Sequence, residues 1–173
     1  MNREILFKAK RKDNGEWVEG YYCKIDETTY CVEEDYKRFP VPTHHYILVE
    51  IMTDWGLPNR FLQYGIDPDT LCQYTGLADK NGGKIWENDI LIGHGNDRDL
   101  SKVVFGEFNV IDAETLEVVD RVIGWHTEVI KTDVLSKCEP FCLPMPLTDF
   151  YIERSEFEVF GNVFDNPELL EVE

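Results

Sequence analysis

Residues Cys72 to Ile92, CQYTGLADKNGGKIWENDILI, bring together glycines, a lysine and acidic side chains, the residue types from which phosphate and calcium loops are built. A phosphate loop needs glycine, four residues, then Gly-Lys-Ser/Thr, so that backbone N–H groups wrap the phosphates and the hydroxyl meets magnesium. Around Gly83-Lys84 the first glycine is replaced by Ala78 and the hydroxyl by Ile85. A calcium loop could start with Asp79 and Asn81, but Gly83 holds its fifth position and Ile90 its twelfth, where a bidentate glutamate belongs. Neither chemistry is encoded. Turn chemistry describes the stretch better. Asp79 to Gly83 reads as one turn, Lys84-Ile85-Trp86 as a short strand, and Glu87-Asn88-Asp89 as a second turn with Asn88 left-handed. Ile90 to Ile92 then runs as a strand into a core.

Other reactive side chains do not select a reaction. Cys138 and Cys142 stand near ligand spacing and the chain has four histidines, His44, His45, His94 and His126, but a structural zinc site wants two close pairs. No second cysteine pair lies near, and Pro140 and Phe141 separate the two thiols, so no metal is expected. Cys72 follows an apolar Leu71 on a predicted helical turn, which suits a packed thiol rather than an activated one. Nothing in the spacing pairs it with His126, and no catalytic residue and no cofactor are assigned. Trp17, Tyr21, Trp86 and Trp125 could stack on bases, yet their sequence neighbours are Glu16, Glu19, Glu87 and Glu128; core packing is the reading preferred.

The elements that must position these residues are mostly strands. Arg3 to Lys12 alternates, with Ile5, Phe7 and Ala9 on one side, and Asp13-Asn14-Gly15 turns the chain into a second strand, Glu16 to Ile25. Thr28 to Val32 and His45 to Ile51 are further strands, Trp55 to Asp67 is irregular, and Asp67 to Tyr74 makes one or two helical turns ending before Gly76. Lys102 to Phe108, Glu117 to Val129 and Phe157 to Val163 complete the strands; Gly95 to Asp97 and Pro140 to Pro146 are loops, and Pro167 to Leu170 a short helix. The fold class expected is mainly β, α+β with short helices. An N-terminal β-rich region over 1–70 is followed by a C-terminal region over 71–173, the two read also as one compact domain.

Three long phrases resemble the YopX family of phage and prophage proteins. The first is Arg3-Glu4-Ile5 with Arg11-Lys12-Asp13-Asn14-Gly15-Glu16-Trp17-Val18 and Gly20-Tyr21. The second comprises Gln73, Tyr74, Thr75, Gly76, Leu77, Asp79, Lys80, Asn81, Gly82, Lys84, Ile85, Trp86, Glu87, Asn88, Asp89 and Ile90. It is similar to a family pattern QYTGL-x-DKNGK-x-I-(aromatic)-EGDIV, with Asn88 for a glycine and one extra glycine. The third, Glu158 to Leu169, resembles a closing GN-(aliphatic)-(aromatic)-ENPEL, whereas Leu100 to Glu156 carries no signature. The resemblance implies a mostly β fold with a small SH3-like barrel in the C-terminal half, and an origin on a phage or integrated prophage genome. It supplies no reaction, and the motif residues are read as structural.

Thirty-four acids against seventeen bases give a net charge of −17, a surface that repels nucleic-acid phosphates and anionic membranes. The one basic concentration is Lys8, Lys10, Arg11 and Lys12. No segment reaches the ~18 apolar residues that cross a bilayer. The start MNREILFKAKRK lacks an apolar h-region, so the expectation is a cytoplasmic protein of a bacterial host with its five cysteines reduced. The function expected is a non-enzymatic protein-interaction module whose partner is a host or phage protein. The alternative is a nucleic-acid-binding or DNA-mimicking accessory protein. Strand edges leave homo-oligomers open.

Overall fold

The structure, a computed structural model, describes residues 4–112, 114–132 and 134–170. Arg3, which opens the first predicted strand and the first family phrase, lies outside them. The chain divides into two compact units, Met1–Gln73 and Tyr74–Glu173. It is mainly β, as the sequence predicts.

The first unit contains β1 (Phe7–Lys10), β2 (Trp17–Asp26), α1 (Glu33–Arg38), β3 (Thr43–Ile51) and β4 (Arg60–Gly65), then a 3₁₀ turn at Pro68–Thr70 and the start of β5 (Cys72–Ala78). All pairings are antiparallel: β1 lies between β2 and the first residues of β5, and β3 lies between β2 and β4. The β1–β2 turn is built as its sequence suggests, with Gly15 at φ 74° and the Asn14 side chain accepting from the Glu16 N–H. Arg11 grips Asp13 with two hydrogen bonds and lies 4.4 Å over the Tyr64 ring. Ala9, Ile47 and Ile66 form the buried centre, with Phe7, Val18, Tyr22, Val49 and Leu71 packed against them.

Several local expectations are corrected here. Regular pairing starts at Phe7, so Leu6 is buried and Ile5 exposed, reversing the alternation assigned to the first residues. Thr28 to Val32 is not a strand. The chain enters α1 instead, whose first turn holds Glu33, Glu34 and Asp35 and whose last turn holds Lys37 and Arg38, matching the helix dipole. Within the segment read as irregular, Arg60 to Gly65 is a strand, because six consecutive residues find partners on β3. Only Pro68–Thr70 is helical after Asp67, whose carboxylate accepts from the Asp69 N–H. Cys72 is therefore a buried strand residue rather than a helical one, since Cys72 and Gln73 pair with Lys8 and Phe7.

The second unit holds the rest of β5, β6 (Lys84–Trp86), β7 (Asp89–Ile92), β8 (Leu100–Ile111) and β9 (Val118–Val129). Then come a 3₁₀ turn at Leu135–Lys137, β10 (Met145–Pro146), α2 (Asp149–Arg154), β11 (Glu158–Asn162) and a 3₁₀ turn at Pro167–Leu169. β5 pairs with β6, and a five-stranded antiparallel sheet runs β10-β9-β8-β7-β11, with β10 and β11 at its ends. Strand β7 is buried on both faces. Leu91 joins a cluster with Ile85, Val103, Leu147, Ile152 and Phe157, while Ile90 joins Leu100 and Ile130 on the other side. Helix α2 lies in a stretch for which no element was predicted; the Thr148 hydroxyl accepts from the Tyr151 N–H as its N-cap, and Ile152 is its buried anchor.

Candidate functional site

The family motif builds a clamp in the second unit. At its centre is Asp79, which opens the turn Asp79 to Gly83 expected from the sequence. Asp79 Oδ1 accepts from the N–H groups of Asn81 (2.9 Å) and Gly83 (2.8 Å), and Oδ2 accepts from Val159 N–H on β11 (3.1 Å). The next residue adds two more ties to the same strand region. Lys80 N–H donates to the Phe157 carbonyl (3.0 Å), and Lys80 Nζ lies 2.8 Å from Glu158 Oε2. Gly82 takes φ 83°, the left-handed conformation that this turn requires. One carboxylate thus joins the middle phrase of the sequence to its closing phrase.

The remaining motif residues pack or brace. Gly76 at φ 85° coincides with a register shift in the β5–β6 pairing between Tyr74 and Ala78. Thr75 Oγ1 donates to the Ile85 carbonyl (2.7 Å) and accepts from Leu77 N–H (3.1 Å), while Leu77 and Ile85 sit in the main core cluster. Tyr74 and Trp86 lie with ring centroids 5.3 Å apart, with Lys84 Nζ over both rings. Asp89 is 1% exposed and its Oδ2 accepts from Trp86 N–H (2.8 Å), closing the turn in which Asn88 takes φ 63°. Glu87 lies in that turn, Ile90 is fully buried, and Gln73 belongs to the first unit, opposite Phe7.

The Lys80–Glu158 contact has a pH signature. The Lys80 ammonium holds the Glu158 carboxyl below its ordinary value of 4.5, and Glu158 raises Lys80 above 10.5. The depressed acid contributes stability above its unfolded value, lost as pH falls through the folded value; the raised base contributes below its unfolded value, lost as pH rises through the folded one. Hydrogen-exchange protection of residues 79–83 should therefore be level through neutral pH and decline below about 4.5. Glu158→Gln should remove the acid-side decline belonging to this pair; an unchanged profile would show the contact to be ineffective.

The reactive groups stay dispersed. Among the described residues no three of His, Cys, Asp or Glu come together to hold a metal. Cys138 is exposed, with its thiol donating to the Val134 carbonyl, and Cys142 is half-buried. His126 is buried and stacks on Phe108 with centroids 4.6 Å apart, beside a cleft of about 460 Å³. Its Nε2 lies 3.9 Å from Glu128 Oε1, and Glu107, Asn109 and Arg121 are among the described residues that line the cleft with it. Cys72 is in the first unit, buried, with its thiol directed to the Thr70 carbonyl.

The aromatic residues divide. Trp86 is buried and Trp125 packs against the core, as expected, but Tyr21 is exposed and meets Phe61 edge-on at 6.4 Å. Trp17 has basic neighbours in space: Lys8 and Lys10 place their ammonium groups 5.1 and 5.5 Å from its ring. Cross-strand register brings them there, because Lys10 pairs with Trp17 and Lys8 with Glu19.

The surface feature missed by sequence reasoning is the β3–β4 turn. Met52, Trp55 and Leu57 are 84%, 98% and 60% exposed. The turn that carries them is hydrogen-bonded: Thr53 Oγ1 donates to the Pro58 carbonyl, Leu57 N–H to the Asp54 carbonyl, and Asn59 Nδ2 to Glu50. A tryptophan between Asp54 and Gly56 was the available signal, since such a loop has no face to bury it. Charge is uneven too. Residues 1–73 carry nine Lys or Arg against thirteen Asp or Glu, net −4, and residues 74–173 carry eight against twenty-one, net −13. No helix among the described residues is long and apolar enough to cross a membrane.

No curated protein matches the sequence. Among solved structures, the crystal structure of protein EF1440 from Enterococcus faecalis is similar at 17% identity and a TM-score of 0.44, over 97% of this chain and 99% of that one. The model of one protein family, described as YopX protein, matches residues 6–171. That match spans both units and all but the ends of the sequence: the chain belongs to the YopX family.

Proposed function

We propose that this chain is a non-enzymatic interaction module that binds a host or phage protein in the cytoplasm of a bacterial cell, through the β3–β4 turn of its first unit. The observation that carries this reading is Trp55, held almost fully in solvent on a hydrogen-bonded turn. Large apolar side chains on a pre-ordered surface mark docking sites, because their burial awaits a partner and little ordering entropy is then lost. Glu50 and Asp54 border the turn, so the fitting partner offers an apolar pocket with a basic rim.

The test is a pull-down from bacterial lysate with nuclease-treated and untreated halves, using the wild type and Trp55→Ser. A saturable protein partner should survive nuclease. Its affinity for Trp55→Ser should fall about thirtyfold, the effect of a hot-spot tryptophan worth ~2 kcal/mol. Equal retention by the variant would sink the assignment of the turn. Partners lost on nuclease treatment would favour nucleic acid, read by the basic strip at Lys8 and Lys10. The −13 charge of the second unit supports the mimicry variation; its partner would be released by moderate salt and be indifferent to Trp55→Ser.

A further inference from the structure

The second unit contains a cavity of about 790 Å³, the size of a small-molecule site, walled by the 96–101 segment, the end of β9, the 136–146 segment and α2. Two features of its lining stand out. Arg98 and Arg154, fifty-six positions apart in sequence, both open onto it, and among the described residues neither guanidinium has an ion pair. Both are exposed, and they bring two positive charges to one cavity of a half-chain whose net charge is −13. Asp99 also lines the cavity, and a Cβ added to Gly93 would meet its carboxylate at 2.3 Å. The carboxylate is thereby seated over the Gly93 backbone.

The second feature is the apolar wall. Phe150 is 72% exposed and Phe141 56% exposed, and Met145 stands with them. Tyr151 also lines the cavity, packed edge-on against Phe157 at 5.2 Å, with its hydroxyl beside the Thr127 and Ser155 side chains. Burial pushes the Tyr151 hydroxyl's pKa up, so it stays a neutral group able to donate a hydrogen bond. Planar guanidinium groups match the oxygens of phosphate and carboxylate in a two-pronged fashion, and aromatic faces favour a flat apolar body.

We propose that this cavity is a binding site for a small organic anion with an aromatic body, its phosphate or carboxylate held by Arg98 and Arg154 and its ring placed among Phe141, Phe150 and Tyr151. This site lies wholly within the second unit and does not depend on the turn bearing Trp55.

Phenyl phosphate is the probe, titrated into the full chain and followed by amide chemical shifts, with phenol and inorganic phosphate as separate arms. The expected result is saturable shifts at Arg98, Phe141, Tyr151 and Arg154, with each fragment at least about tenfold weaker than the whole probe, because neither satisfies both walls. Arg98→Gln and Arg154→Gln should each weaken binding by about tenfold, as loss of a charge-assisted contact does, with the rest of the spectrum preserved. Met145→Trp, which adds bulk to the apolar wall and leaves the charge intact, should also weaken it. Phenol binding as well as phenyl phosphate, undiminished binding to the double arginine variant, shifts confined to other surfaces, or no saturable binding would each overturn the proposal. Benzoate replacing phenyl phosphate at similar affinity would support the site and assign it to carboxylates as well as phosphates.

Discussion

Asp79→Ala is expected to lower the unfolding free energy by about 3 kcal/mol, because three backbone N–H groups lose a charged acceptor in one step. Asn81 and Gly83 lose the oxygen that shapes the 79–83 turn, and Val159 loses the one that fastens β11 to it. Asp79→Asn separates the two roles. Its carbonyl oxygen can still serve Asn81 and Gly83, while its amide nitrogen faces Val159 N–H, a donor against a donor. A loss of about half the alanine effect is the result expected of that variant. Urea unfolding followed by tryptophan fluorescence measures both. Identical midpoints for wild type and Asp79→Ala would remove the clamp from the account of this family's middle motif. Lys80 and Glu158 would remain the fallback tie, since their contact does not pass through Asp79.

In the first unit the largest effect is expected of Gly20→Ala. A Cβ at this position would lie 2.2 Å from the Leu48 carbonyl oxygen and 3.0 Å from Ile47 Cγ2. The first of these is backbone in the neighbouring strand, so no rotamer change relieves it. Strands β2 and β3 must separate where Tyr21 faces Leu48, directly beside the buried Ile47. The cost should be about 3 kcal/mol or more, at the upper end of overpacking. Gly124→Ala is the matched control: its Cβ meets no atom within 4 Å, and its effect should stay within about 0.5 kcal/mol. Hydrogen exchange on the β2 and β3 amides, with urea midpoints for both variants, checks the pair. A Gly20→Ala protein with wild-type protection on those strands would contradict the close approach.

Where the structure departs from the sequence reading, competition between local and distant partners explains it. Asp67-Pro68-Asp69 does start a helical turn, but Cys72 and Gln73 have β1 to pair with, and the helix stops at Thr70. The stretch from Trp55 onward has the glycine and proline of a loop, yet Arg60 to Gly65 becomes β4 because β3 offers an unpaired edge. Thr28 to Val32 has strand-forming side chains, but α1 follows at once with its charges in dipole order. Propensity is a weak term beside a row of ladder hydrogen bonds.

What the sequence by itself determined is local: the turns at Asp13 to Gly15, Asp79 to Gly83 and Glu87 to Asp89, the left-handed Asn88, the mainly β class, and the YopX motifs. Those follow from backbone sterics and short-range hydrogen bonds, which neighbouring residues settle among themselves. Tertiary structure alone decided that Asp79 reaches Val159 eighty positions away, that Lys8 and Lys10 cover Trp17, and that Arg98 and Arg154 share a cavity. These depend on strand register and on which elements meet. Register is selected by the burial of whole faces, so no spacing within a short window can show it.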